Sequence, residues 1–172
     1  DFGFSIAASE KYLLIGAPGY NDGHGIAYLY ELKDNIWTLV KTYENPVSYQ
    51  DIGYPHKFGY NVAISDKYLS ISSPFNNDGI VYIYELDSVD DDRISSNLVD
   101  VVDVRELGDV EGCYAIGPDQ FGFGISTSFK NNKLVIGSLK DFVYLVEYRD
   151  GIPFGTEILN PTDDIEIERY KF

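Results

Sequence analysis

The chain has 172 residues, 44% of them hydrophobic and 15% aromatic, enough for one domain with a substantial core. Its 13 basic and 28 acidic side chains leave a formal charge of −15, which repels phosphate backbones and anionic lipid headgroups and argues against nucleic acid or a membrane as partner. A single cysteine, Cys113, excludes an intrachain disulfide framework and a cysteine-based metal site. No apolar run reaches the ~18 residues that a membrane-spanning helix needs, and no signal-peptide pattern is present. Methionine is absent even at position 1, so the sequence is expected to begin inside, or after processing of, a longer product.

Fifteen Tyr and ten Phe, with abundant Val and Ile, favour strands over helices. The small and apolar residues 4–8 predict a short strand suited to a crowded interior. A turn at Ser9-Glu10-Lys11 leads to a strand over 12–16, ended by Gly16-Ala17-Pro18. The segment Gly19-Tyr20-Asn21-Asp22-Gly23-His24-Gly25 is dense in turn residues and predicts a loop. A strand over 26–32 then turns tightly through Lys33-Asp34-Asn35 into a strand over 36–43. In that strand Ile36, Thr38, Val40 and Thr42 should share one face, with Trp37, Leu39, Lys41 and Tyr43 on the other. Residues 44–57, with Pro46 and Pro55, cross to the next unit.

The same plan recurs at 60–64, 68–72 and 80–86. Its last hairpin is widened by Asp87-Ser88-Val89-Asp90-Asp91-Asp92-Arg93, and the strand over 98–105 that follows has a mixed alternation. After a Gly-rich crossing at 106–120 the plan begins a third time and ends in a hairpin at Asp150-Gly151-Ile152-Pro153 and a strand near 156–159. No segment has sustained helical periodicity, so the chain reads as all-β.

The plan recurs because the sequence does. Phe2-Gly3-Phe4 is followed by Leu14-Ile15-Gly16-Ala17-Pro18, Phe58-Gly59-Tyr60 by Ile71-Ser72-Ser73-Pro74, and Phe121-Gly122-Phe123 by Val135-Ile136-Gly137-Ser138. Each copy then carries a Tyr-bearing strand: Tyr28 and Tyr30, Tyr82 and Tyr84, Tyr144. The copies start 56 and 63 residues apart, a spacing characteristic of repeat architectures. Four short antiparallel strands in about 60 residues describe one blade of a β-propeller, and blades bury their faces only by packing side by side. Closed propellers typically have about four to eight blades, so three repeats are expected to form part of a larger ring or to complete one with another chain. An open stack or a pair of sandwiched sheets is the competing arrangement. The expected units are blade 1 at 1–57, blade 2 at 58–120, blade 3 at 121–160, and a tail or closing strand at 161–172.

A Phe-Gly pair with Gly-Ala-Pro thirteen to fifteen residues later resembles the FG-GAP repeat of integrin α-subunit β-propellers. Phe2, Gly3, Gly16, Ala17 and Pro18 match it most fully. The second copy keeps Phe58, Gly59 and Pro74, and the third keeps Phe121, Gly122 and Gly137. The resemblance covers roughly residues 1–160 and implies a seven-bladed propeller, extracellular or cell-surface placement, and protein or ligand binding without catalysis. In that family some blades carry a calcium loop between their first two strands. Here the corresponding turns are Ser9-Glu10-Lys11, Ser65-Asp66-Lys67 and 128–133, each with a Lys where the cation would sit, so no calcium site is carried over.

By the same architecture, loops 19–25 and 76–79 and the crossings 47–57 and 107–120 project from one rim. Tyr20, Asp22, His24, Tyr49, Tyr54 and His56 are its candidate binding groups. Against that, Asn21-Asp22-Gly23 and Asn77-Asp78-Gly79 serve equally well as plain turn formers. The run Asp90-Asp91-Asp92 reads as a solvated hairpin tip. Two histidines make a poor metal site, no spacing suggests a catalytic triad, and no cofactor is expected. The tyrosine strands read as packing between blades. These observations point to a non-enzymatic binding or adhesion module. The alternatives are a structural component of a virus particle, phage tail or surface filament, and an accessory propeller of an enzyme whose catalytic domain lies outside this segment.

Overall fold

The computed structural model describes residues 1–47, 55–76, 79–88, 94–103, 124–126, 133–137, 143–149, 152–159 and 169–170. Tyr49, Tyr54, Cys113, Phe121, Gly122, the run Asp90–Asp92 and the turn at 128–132 lie outside them. The chain is built of antiparallel sheets. The first contains β1 (Ser5–Ala8), β2 (Tyr12–Ala17), β3 (Ile26–Lys33) and β4 (Ile36–Glu44) in sequential order. The second repeats that order with β5 (Val62–Ile64), β6 (Tyr68–Ser73), β7 (Ile80–Ser88) and β8 (Ile94–Asp103). In the third, β9 (Gly124–Ser126), β10 (Lys133–Gly137), β11 (Val143–Arg149) and β12 (Ile152–Leu159) are joined at the edge by β13 (Arg169–Tyr170), which the tail contributes. Among the described strands no sheet closes on itself.

The turns follow from their residues. Ser9 and Ser65 close the first hairpins of their sheets: each Oγ accepts from the backbone N–H three residues on, at 3.1 Å for Tyr12 and 2.9 Å for Tyr68. The turn at Ser65-Asp66-Lys67 is further tied by an ion pair between Lys67 Nζ and Glu85 Oε1 at 3.1 Å. Asp34 and Asn35 both have positive φ, 52° and 62°, the two-residue turn that matches strand twist and that short polar side chains tolerate.

One expectation needs correction. Tyr30 stands opposite Leu39 but Leu29 opposite Lys41, so Val40 is an extra residue, a β-bulge. The bulge shifts the alternation by one, and Trp37 and Leu39 therefore lie on the face opposite to Lys41 and Tyr43. The second sheet bulges at the matching place, with Tyr84 opposite Leu98 and Ile83 opposite Asp100. That extra residue, Val99, is why the sequence of this strand alternates poorly.

The first two sheets pack face to face. On the first sheet, Tyr12, Leu14, Ala27, Leu29 and Tyr43 point to the second sheet, which answers with Val62, Ile64, Leu69, Ile71, Tyr82 and Tyr84, all buried in one core. Tyr43 and Tyr84 meet with ring centroids 4.8 Å apart. The other face of the second sheet carries the buried Ala63, Tyr68, Val81 and Ile83. The third sheet, whose Leu134, Ile136 and Val146 are buried, adjoins the second through β9 against β5 and β12 against β8. The tyrosines of the second sheet are thus packing groups between sheets. Tyr144 carries no description of its side chain.

The repeated motif holds the first junction. Phe58 is fully buried and its ring lies over Tyr82 at 5.5 Å. Gly59 N–H donates to Ser72 O at 3.0 Å within its own sheet, while Gly59 O accepts from Ser5 Oγ of the first sheet at 3.0 Å. A methyl on Gly59, at φ +83°, would stand 2.6 Å from Ile26 O, and one on Gly16 would overlap Gly59 O. Gly3 holds nearly the same conformation, φ +87°, yet a methyl there would meet nothing within 4 Å. Gly59→Ala is therefore expected to destabilise the fold by about 2–4 kcal/mol, from left-handed strain and backbone overlap together. Gly3→Ala should cost only the strain, about 1–2 kcal/mol. Urea unfolding of the two variants in dilute solution measures the difference.

Candidate functional site

The loop after β2 and the segment leading to β5, two stretches expected to share a rim, meet in the structure. That loop makes one helical turn, Tyr20–Gly23, in which Asn21 and Asp22 adopt left-handed φ of 48° and 55°. Asn and Asp tolerate this conformation because their short side chains bond locally. The turn closes with His24 N–H on Asn21 O at 3.1 Å and Gly25 N–H on Tyr20 O at 3.0 Å. The incoming segment then docks on it: Lys57 N–H donates to Gly23 O at 2.8 Å and Phe58 N–H to His24 O at 3.2 Å, which makes Gly25 and Phe58 a parallel bridge.

This docking brings together four of the six residues singled out from sequence. Tyr20 and Asp22 are exposed at the tip of the turn. His24 is half-buried behind them, and its ring centroid lies 5.7 Å from that of His56, which is fully buried. Tyr49 and Tyr54 lie outside the described residues. Asn45 escaped the sequence reading, which took Asn45-Pro46 as a plain crossing. Its Nδ2 meets His56 Nδ1 at 2.9 Å in a buried contact, and its Oδ1 accepts from Val47 N–H at 3.1 Å. The signal was an Asn before Pro, which marks a turn but names no partner.

The amide donates, so Nδ1 of His56 is the acceptor and Nε2 carries the proton. That nitrogen is buried without a hydrogen-bond partner among the described residues. The main chain of His56 is held as well, its carbonyl accepting from buried Ser73 Oγ at 2.9 Å. Burial first, and the neighbouring His24 second, push the imidazole of His56 below its ordinary range. The site thus combines a buried, hydrogen-bonded pair, His56 and Asn45, with the exposed Tyr20 and Asp22. Among the described residues no group of three or more His, Cys, Asp or Glu could hold a metal ion. The matching loop of the second sheet is closed by Gly79 N–H on Asn76 O at 2.8 Å, and Asn76 Nδ2 donates to Tyr82 Oη at 3.1 Å.

No helix among the described residues is long and apolar enough to cross a membrane. No protein-family model matches the chain, and no curated protein matches it either.

A histidine whose folded pKa is depressed gives a definite pH dependence. Above its ordinary value of 6.5, His56 is neutral both folded and unfolded and contributes no slope. As the pH falls below 6.5 the unfolded chain takes up a proton that the folded chain refuses, so stability is lost until the pH passes the folded pKa. The expected slope from this one group approaches about 1.4 kcal/mol per pH unit at most. Unfolding free energies of the parent chain and His56→Gln at pH 7.5, 6.5 and 5.5 should differ in slope, the variant being flatter.

Proposed function

We propose that the chain is a non-enzymatic binding module, FG-GAP-like β-propeller blades of a cell-surface or secreted protein that hold a protein partner on their rim loops. The observation that carries this reading is the junction at Phe58-Gly59. There the Phe-Gly turn of one repeat is clamped against Gly16 of the preceding sheet, so successive four-stranded meanders pack as neighbours in series. β1 lies beside β5 and β5 beside β9, so the first strands of the repeats adjoin as the inner strands of blades do. The same packing joins a loop of one repeat to the entry segment of the next, with Tyr20 and Asp22 exposed. Loops so placed are where scaffolds usually carry their binding groups. An aromatic ring beside a carboxylate suits a polar or basic protein surface better than an anionic one.

Labelled full-length chain, tested against arrayed secreted and surface proteins, should show saturable binding to a discrete partner. The Tyr20→Ala, Asp22→Ala double variant, still folded by circular dichroism, should bind that partner about tenfold more weakly or worse. A saturable hydrolase or lyase turnover removed by a single substitution would overturn the reading.

A second reading, a structural component of a virus particle or surface filament, is favoured by one specific observation. The first sheet exposes large apolar side chains, among them Phe2, Ile6 and Trp37, that an isolated monomer gains nothing by exposing.

A further inference from the structure

The repeats allow each face to be compared with its counterpart. In the second sheet the Phe-Gly turn folds Phe58 over Tyr82, at 5.5 Å and 57° between ring planes. The first sheet makes the same internal contact, Phe2 over Tyr28 at 5.2 Å and 61°. Yet Phe58 is 0% exposed and Phe2 59%. Val62 is 6% exposed and its counterpart Ile6 is 63%. Tyr82 and Tyr84 are buried, whereas Tyr28 and Tyr30 are half-buried. Among the described residues one thing differs between the two faces: the second sheet has a sheet in front of it, and the first does not.

What covers the second sheet is known in detail. It is the rear face of the first, where Leu14 and Gly16 on β2 stand opposite Leu29 and Ala27 on β3. The third sheet has a rear face of the same make. There Val135 and Gly137 on β10 stand opposite Leu145 and Val143 on β11, and all four are half-buried. The alternate residues Leu134, Ile136 and Val146, on the opposite face, are buried. Among the described residues the two halves of the internal junction thus recur without a mate, on the front of the first sheet and the rear of the third.

We propose that the front face of the first sheet is a docking site for the rear face of the third sheet of a second copy of this chain, so that copies join head to tail. The contact is heterologous. It closes into a ring if the rotation per copy allows and extends as a filament if it does not. Phe2-Gly3 would take against Gly137 of the neighbour the place that Phe58-Gly59 takes against Gly16. The formal charge of −15 on each copy opposes the encounter, so association strengthens as salt screens it. The proposal rests on the packing between sheets and stands whether or not the rim binds a partner.

Sedimentation velocity and light scattering on the full chain at about 0.15 M salt, up to about 100 µM protein, test it. The expected species has twice the 19.4 kDa chain mass or a higher multiple. Ile6→Asp blocks the head and Leu145→Lys the tail. Each variant alone should be monomeric, its dissociation constant raised about a hundredfold or more. Mixed in equal amounts they should form a two-chain species that grows no further, because each retains the half the other lacks. Ile6 is exposed, so the head variant carries little risk to the fold; if Leu145→Lys fails to fold, Val143→Lys replaces it. A parent chain that stays monomeric overturns the proposal. So does a tail variant that still self-associates, since that would be front-to-front pairing, and so does a mixture that recovers nothing.

Discussion

Two backbones can touch only where neither carries a side chain, and the junction between the first two sheets depends on such a contact. Gly16 and Gly59 come so close that a methyl on Gly16 would overlap the Gly59 carbonyl oxygen. That approach lets Ser5 Oγ reach the same oxygen and lets Phe58 sink fully between the sheets. With Phe58 in place, Tyr82 is covered on one side by its ring and on the other by the aliphatic face of the first sheet. The repeated Phe-Gly is therefore a knob with a swivel: the ring is the knob, and the glycine after it supplies the left-handed backbone that aims it.

The junction also sets the candidate site. The parallel bridge between Gly25 and Phe58 continues the same contact outward by one strand. His56 is carried into the protein because it lies two residues before Phe58, whose position is fixed by packing. Its burial follows from geometry, and Asn45 meets part of the hydrogen-bonding demand that results. The lowered basicity of His56 is a consequence of the same packing. A site built in this way combines a buried, hydrogen-bonded pair with an exposed tip.

Much of the fold was legible because its signals are local. The apolar, aromatic-rich runs at 12–16 and 26–32, the Ser-led turns and the Asp34-Asn35 hairpin each depend on neighbouring residues, and the strands over them begin where the sequence places them. The bulges were not legible. An extra residue leaves no mark in the sequence except a spoiled alternation, and β4 carries apolar residues at both parities (Ile36, Val40; Trp37, Leu39, Tyr43), so Val40 does not stand out. Tyr20, Asp22, His24 and His56 were singled out because the architecture that the resemblance implies puts their loops together, and the loop after β2 does meet the segment that carries His56. Asn45 was not, because its partner stands eleven residues further along the chain.

The sequence by itself determined that the chain is β-rich and that it is built three times over, since these follow from side-chain volume and backbone preference at each position. It misplaced strand ends, putting Ile152 and Pro153 in a hairpin where they pair within β12 and starting at 98 the strand that runs Ile94–Asp103. Only the tertiary structure decided which copy of the motif is buried. Phe2 and Phe58 are the same residue in the same turn over the same tyrosine, and they differ only in whether another sheet lies in front. Burial belongs to the pair of surfaces that meet, and no single stretch of sequence contains both.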